Sequence, residues 1–328
     1  MPDYLTLAEY SQLLDKNGDS LTSGIVDTLI EDGGMFMEKL PIKTVGKLKA
    51  KGHRIKDLPA SQNRSLSEDY THDTGHSEPL EETCFMYGGR VDLDYLLDGG
   101  DDDLIEDPKA FQLRLHTMAQ TFTLKDDIIN NTPGVKPKGL VGLRYRLVND
   151  LPNIQRIDFG GVDISDDGGG TDDAAYMQKM RHLIYALPDH TADLLMLNDT
   201  HLLALRRVLE NLKLLKTTED SFGREILRWG DAGPFLVDMG LCADQATKVI
   251  TDEEDDSGIS KDAGGTTSFT SVFGVRFGPE YLTGWEKSGM KTFTWSTGVI
   301  NHVEFDWPLG LFITNPRSVA QGFNIQAK

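Results

Sequence analysis

Only two cysteines occur, Cys84 and Cys242, far apart and without metal-type spacing. That excludes a disulfide-rich secreted scaffold and a cysteine zinc site. Two buried thiols in a reducing compartment are the plain expectation. No run of about 18 apolar residues exists, which excludes a membrane-spanning helix. Met1-Pro2-Asp3-Tyr4 has neither a basic n-region nor an apolar h-region, so no signal peptide is expected and synthesis is placed in a cytoplasm. Positive charge is scarce. Lys plus Arg total 33 against 52 Asp plus Glu, a net charge of −19. A surface that acidic is a poor partner for phosphate backbones and anionic membranes. Catalytic signatures are missing as well: no GxSxG, no GxGxxG after a strand, no HExxH, no Cys/His pair at a recognisable spacing. Nothing in the chain argues for an enzyme. A hydrolase using unrecognised carboxylates would show itself by turnover lost with one acidic substitution.

What is present is room for a core. The chain has 328 residues, 39% hydrophobic and 26% charged, and reads as soluble and globular. At that length about three quarters of the unfolded surface can be buried without staples.

Residues 1–34 read as a leading arm of two short helices. One starts near Leu5 and breaks near Asn17-Gly18; the other runs from Leu21 to Ile30 and ends at Gly33-Gly34. Both are too short to stand alone and must dock. From Lys43 to Lys56 the chain holds Lys43, Lys47, Lys49, Lys51, Arg54 and Lys56 with no acid between them. Pro59 to Pro79 is polar and cannot bury much surface. Together they suggest a long protruding hairpin. An acidic bend follows, with Asp98, Asp101, Asp102, Asp103, Glu106 and Asp107. Asp107 and Pro108 then open a long helix that stops before Thr132-Pro133-Gly134. Its apolar face reads as Phe111, Leu115, Met118, Phe122 and Ile129, over a length of about 37 Å.

Gly139–Val148 reads as loop and strand, followed by a weakly alternating Ile154–Phe159. A helix from about Asp173 to Leu187 is stopped by Pro188. Leu194–Leu197 is a buried strand, and Asn198-Asp199-Thr200 caps a further helix. The last third is strand-rich: Glu225–Trp229, Pro234–Met239, Lys248–Thr251, Ser271–Phe277, Lys291–Thr297, Val299–Asp306 and Leu309–Thr314. Asp252–Asp256 is expected as a solvated acidic loop.

Asp15–Ser20 starts like a calcium-binding EF-hand loop but has Ser20 for the glycine and Val26 for the glutamate, so it reads as a helix break. His53, His72 and His76 read as exposed loop histidines. Asp163–Asp173 gathers carboxylates on a glycine-rich backbone; Gly168-Gly169-Gly170 lacks the ending of a phosphate loop. These acidic loops support the alternative function, a calcium-binding extracellular or virion surface module, whose melting would depend on calcium. The basic island lacks interleaved aromatics for base stacking. Its charge fits the acidic patches Asp98–Asp107 or Asp252–Asp256 of an identical neighbour, which would set register in a repeated assembly.

The order of elements, with Val26-Asp27-Thr28-Leu29-Ile30-Glu31, Met37-Glu38-Lys39-Leu40-Pro41, Glu78-Pro79-Leu80 and Gly88-Gly89-Arg90-Val91-Asp92-Leu93-Asp94, resembles the tailed-phage major capsid proteins of the Hong Kong 97 type. The resemblance spans roughly residues 5–325. It implies an α+β, Hong Kong 97-like capsid fold: N-terminal arm at 1–34 lying along a neighbouring subunit, extended loop with flanking strands at 35–90, peripheral domain at 91–160 with a spine helix at about 108–132, axial domain at 161–290, and closing strands at 291–328. It implies a protein that self-assembles into hexamers and pentamers of an icosahedral head shell around double-stranded DNA, whose acidic inner wall repels the packed DNA. The expected location is the virion. The resemblance implies no cofactor, metal or membrane. Its implied partners are a separate scaffolding protein, since no long N-terminal scaffolding extension is seen, a portal, and a decoration protein. The expected inter-subunit contacts are Lys43, Lys47, Lys49, Lys51, Arg54 and Lys56 against Asp101, Asp102 and Asp103. Some relatives cross-link Lys to Asn; Lys43, Lys47 and Asn315 exist here, without a motif that identifies a pair.

Overall fold

A computed structural model of the chain describes residues 5–57, 59–95, 108–165, 173–219, 223–262 and 268–326. Helix α1 (Leu7–Lys16) opens on a capping box, in which Thr6 N–H donates to Glu9 Oε2 at 3.0 Å and Glu9 N–H to Thr6 Oγ1 at 3.4 Å. Gly18 at φ 82 makes the break read in the sequence, and Asp19 caps α2 (Ser20–Lys39) by accepting from Thr22 N–H at 3.2 Å. The second helix runs past Ile30. It kinks at Gly34 (φ 64, ψ −161), a conformation glycine alone adopts readily, and continues as a short helical turn that buries Met35, Phe36 and Met37. Leu7, Ile25, Val26 and Leu29 belong to this chain's own main core, so the helices of the arm dock on the same chain.

Next come β1 (Ile42–Thr44), β2 (Lys49–Asp57), β3 (His76–Thr83) and β4 (Phe85–Asp94). The long helix α3 spans Pro108–Asn130 and α4 spans Leu143–Asn149. The loop and strand expected at Gly139–Val148 is therefore mostly helical. It buries Leu143 and Leu147 with the stems of Arg144 and Arg146. Strand β5 (Arg156–Asp163), α5 (Asp173–Ala186), β6 (Leu194–Leu197), α6 (Asp199–Asn211) and β7 (Leu215–Glu219) follow. The chain closes with β8 (Glu225–Trp229), β9 (Phe235–Asp238), β10 (Phe269–Val275), β11 (Leu282–Glu286), β12 (Lys291–Thr297), β13 (Ile300–Ile313) and β14 (Val319–Gln326). Lys248–Thr251 makes no strand; Val249 and Ile250 are buried in a turn.

Seven strands form one sheet in the order β5-β14-β10-β6-β9-β8-β7. Strand β6 is buried on both faces. Leu195 and Leu197 join the core under α5 and α6, while Leu194 and Met196 join the main core with α2, α3 and α4. Five strands form a second sheet around β13, which pairs with β4 on one edge and with β12 and β11 on the other. The sequence suggested two strands here because Pro308 interrupts the run. Pro308 falls between Asp306, where β12 stops pairing, and Leu309, where β11 begins, so its missing N–H is not needed on that edge. Strands β2 and β3 make a third, two-stranded sheet of their own.

Helix α3 has the expected length, and of its expected face Ile129 is buried in the main core and Met118 and Phe122 are half-buried, but the fully buried side is centred elsewhere. Leu113, Thr117, Thr121, Leu124 and Ile128 point inward, while Phe111 and Leu115 remain 43% and 42% exposed. Three of the inward polar side chains have partners, while the buried Gln120 amide has none among the described residues. Thr117 and Thr121 hydroxyls donate to the carbonyls of Leu113 and Thr117, each at 2.9 Å, and Lys125 Nζ donates to Asp32 O at 2.5 Å.

The acidic run Asp252–Asp256 is only partly a solvated loop: Glu253 and Asp256 are exposed, but Asp252 and Glu254 are held by partners. Glu254 is 1% exposed and is clasped by Arg144, with Nη1 to Oε2 at 3.0 Å and Nη2 to Oε1 at 2.5 Å; Ser271 Oγ donates to the same carboxylate. Asp252 accepts from Lys248 Nζ at 2.6 Å and Asn198 Nδ2 at 2.5 Å. Both acids are committed inside their own subunit.

Candidate functional site

The hairpin of β2 and β3 carries the longest unbroken run of exposed residues among those described, 59–79. Its antiparallel ladder pairs Lys49 with Thr83, Lys51 with Glu81 and Arg54 with Glu78, with a bulge between Ile55 and Asp57. The base is anchored by packing. Ala50, Cys84 and Trp285 form a small cluster with Val45 and Phe312. Gly52 lies under the Phe312 ring, where an added Cβ would sit 2.5 Å from Cζ. Polar contacts add to this. Arg146 clasps Glu82 with both terminal nitrogens, Nη2 to Oε2 at 2.9 Å and Nη1 to Oε1 closer still. Arg54 donates to the carbonyls of Asp150 at 3.4 Å and Ile313 at 3.2 Å. A polar cleft of about 460 Å³ lies between the hairpin and α4, lined by Arg54, Glu82, Arg146, Asn149 and Asp150. Burial raises the Asp150 carboxyl above its ordinary value.

The expected basic contacts are therefore not equally placed. Lys49 and Lys51 both reach Glu81, at 2.8 and 3.3 Å, and hydrogen bonds from the two lysines hold the Glu81 carboxyl below the ordinary carboxylate range. Arg54 is half-buried on its carbonyl partners. Lys43 is half-buried in β1, and Lys47 is exposed in the turn before β2. Lys56 lies in β2, with its side chain outside the described part. Asp101, Asp102 and Asp103, with the rest of 96–107, lie outside the described residues, as do 166–172 of the Asp- and Gly-rich loop. The sequence reading did not assign Glu78, Glu81 and Glu82 as partners of the basic strand and its anchor. Their signal was an acidic segment on the far side of the polar tip from the basic one.

The tip, residues 59–75, is exposed throughout. It is shaped by its own side chains. Ala60 N–H donates to Asp73 Oδ2 at 2.6 Å, Thr71 N–H to Gln62 Oε1 at 2.9 Å, and Ser65 N–H to Glu68 Oε2 at 3.2 Å. Leu66, 99% exposed, and the exposed Tyr70 stand on this turn. A pinned base, a rigid ladder and an apolar knob suit protein contact better than bond chemistry.

Among the described residues no group of three or more His, Cys, Asp or Glu is arranged to hold a metal ion. His53, His72 and His76 are exposed. Both cysteines are buried and free, and burial pushes the Cys84 thiol up to about 11. Among the described residues no helix is long and apolar enough to cross a membrane.

No protein-family model matches the chain, and no curated protein matches it. Solved structures do match, along nearly the whole length. The holo-SrpI encapsulin complex from Synechococcus elongatus PCC 7942 aligns with a TM-score of 0.59 at 13% identity, over 89% of this chain and 88% of that one. The capsid of a native GTA particle aligns at 0.54 and 12% identity, over 86% of each chain. The Mycobacterium phage Bobi structure aligns at 0.54 and 11% identity, over 92% of this chain and 91% of that one. An α+β architecture shared with shell proteins is thus established for the chain. Its fold is the Hong Kong 97-like capsid fold.

Proposed function

We propose that the chain is a major capsid protein that self-assembles into the icosahedral head of a tailed double-stranded DNA phage. The observation that carries the reading is the full-length fold likeness to capsid and shell proteins, combined with a pinned hairpin that holds an exposed tip away from its own subunit. At 11–13% identity the likeness shows the fold, and the function is our inference from it.

In this reading the hairpin within 35–90 is the extended loop that lies over an adjacent subunit. Residues 91–160 form the peripheral domain, 161–290 the axial domain and 291–328 the closing strands. The arm at 1–34 combines a docked core segment with contacts to a neighbour. Lys43, Lys47, Lys49, Lys51, Arg54 and Lys56 meet acids of the next subunit, among them Asp101, Asp102 and Asp103. The net charge of −19 keeps the inner wall from holding the packed genome. A scaffolding protein, a portal and a decoration protein complete the particle, and the mature location is the virion. The likeness to an encapsulin favours a second reading, an encapsulin-type shell.

Electron microscopy of the purified chain, alone and co-expressed with scaffolding candidates, tests the reading. Closed particles or capsomer rings are expected. A monomer under every salt, concentration and co-expression condition removes it. Nuclease-protected DNA in particles from infected cells supports the phage head over the encapsulin-type shell.

A further inference from the structure

Strand β12 is the outer strand of the five-stranded sheet, and among the described residues its only strand partner is β13. Exposed edges are normally blunted by charge, proline or bulges. From Thr292 to Thr297 this edge has none of them. Phe293 and Trp295 are 47% and 39% exposed. They share the outer face with Glu304 and His302, which they pair with across the ladder. Helix α2 touches the strand at Thr292, whose hydroxyl lies 3.0 Å from that of Thr22.

The turn between β12 and β13 fixes which backbone groups are free. It is a two-residue turn, Gly298-Val299, with Gly298 at φ 65. The residues flanking such a turn, Thr297 and Ile300, form a hydrogen-bonded pair, and bonded pairs alternate from there. Lys291, Phe293 and Trp295 thus direct their amides and carbonyls to β13. Thr292, Thr294 and Ser296 direct theirs to the open edge.

We propose that two copies of the chain join edge to edge through β12, antiparallel and two-fold symmetric about Thr294. In this register Thr294 faces itself and Thr292 faces Ser296 of the second copy. Each of these pairs brings edge-facing groups together and can exchange two hydrogen bonds. Phe293 faces Trp295 of the second copy at the closer, non-hydrogen-bonded spacing, which favours aromatic cross-strand pairs. The same row continues outward to His302 and Asp92 on one side, and to Glu304 and Arg90 of the second copy on the other. An apolar centre with a charged rim results. A one-residue slip opposes edge-facing amides to inward-facing ones; a two-residue slip keeps one aromatic pair where this register has two. The segment alternates hydroxyl and aromatic side chains in the same order from either end. That self-complementarity selects a second copy as the occupant and makes the contact isologous.

The contact deepens the shell reading but is tested apart from it. Thr294→Cys and Thr292→Cys are introduced separately into the full chain and mildly oxidised; native Cys84 and Cys242 are buried. The two Thr294 Cα atoms would lie about 5.5 Å apart, within disulfide range. The two Thr292 Cα atoms would lie roughly 14 Å apart, beyond it. Both sites are outside the core, and melting of each variant verifies the fold. A reducible dimer is expected as the main species for Thr294→Cys, with Thr292→Cys at the background of the unaltered chain. No dimer at 294, or equal dimer from both variants, overturns the proposal. Particle formation is scored in parallel. Particles without the 294 cross-link sink the contact and leave the shell reading standing; a cross-link without particles does the reverse.

Discussion

Arg144 in α4 and Glu254 in the 252–262 segment form a two-pronged ion pair in the interior, 3.0 and 2.5 Å long. The Arg144 guanidinium also donates to Gly258 O at 2.8 Å and lies 5.3 Å from the Phe273 ring centroid. One acid therefore ties α4, the acidic segment and the seven-stranded sheet together. Glu254→Gln or Arg144→Met leaves a buried charge uncompensated. Each should cost about 3–5 kcal/mol of unfolding free energy in the unassembled chain. Removing both partners with apolar residues should cost clearly less than the sum of the two. Urea titration of the three variants checks this, and additive losses would show that the pair acts as two separate groups.

His201 provides a pH test. It is fully buried, its Nε2 lies 2.7 Å from Tyr176 Oη, and burial holds its imidazole down from 6.5 to about 3. Below pH 6.5 the unfolded chain takes up a proton that the folded chain refuses. Stability from this group is complete above pH 6.5 and falls as pH drops toward 3. The slope should approach about 1.4 kcal/mol per pH unit. Between pH 6.5 and 5, before most carboxylates titrate, His201→Gln should show a flatter slope than the unaltered chain. Equal slopes would mean the imidazole titrates normally in the fold.

Gly88 lies opposite Asp306 in the ladder of β4 and β13. A Cβ there would lie 2.2 Å from the carbonyl oxygen of Phe305, which the ladder holds in place. Gly88→Ala should destabilise the chain by about 1–3 kcal/mol through overpacking. Gly46→Ala is the control, because nothing lies within 4 Å of its added methyl. Similar melting temperatures for the two variants would contradict the close approach.

Reversing two charges on the hairpin, Lys47→Glu with Lys51→Glu, separates fold from assembly. Both side chains are exposed, and Lys51 touches Glu81 only at the surface. Circular dichroism of the monomer should be unchanged while particle yield falls. Unaltered yield would remove the electrostatic role of this loop.

Parts of this architecture were legible because the signals were local. Leu194–Leu197 is apolar on both faces and ends at a capping Asn198, whose side chain accepts from His201 N–H at 2.7 Å. The ends of α3 and the span of β12 were likewise announced by proline and turn residues. Other parts depended on distant partners. Nothing near Glu254 announces Arg144, so an acidic run read as solvated. The buried face of α3 is polar at Thr117, Thr121 and Lys125, and a helix pattern weighed by polarity turns the wrong side inward. Lys49 and Lys51 were legible as a basic island, but their pairing with Glu81 needed the ladder register.

The pairing of β5 sets an order of events during synthesis. Its only strand partner among the described residues is β14, which spans Val319–Gln326 and also completes one edge of β10. A nascent chain halted between residues 275 and 319 leaves β5 unpaired and one edge of β10 open. Closing the seven-stranded sheet is therefore a late event, after α5, β6 and α6 have emerged, and a loop closure of that span is slow. In the proposed assembly the timing gives each copy a built-in delay: it cannot present a finished surface to a neighbour while most of it is still being translated.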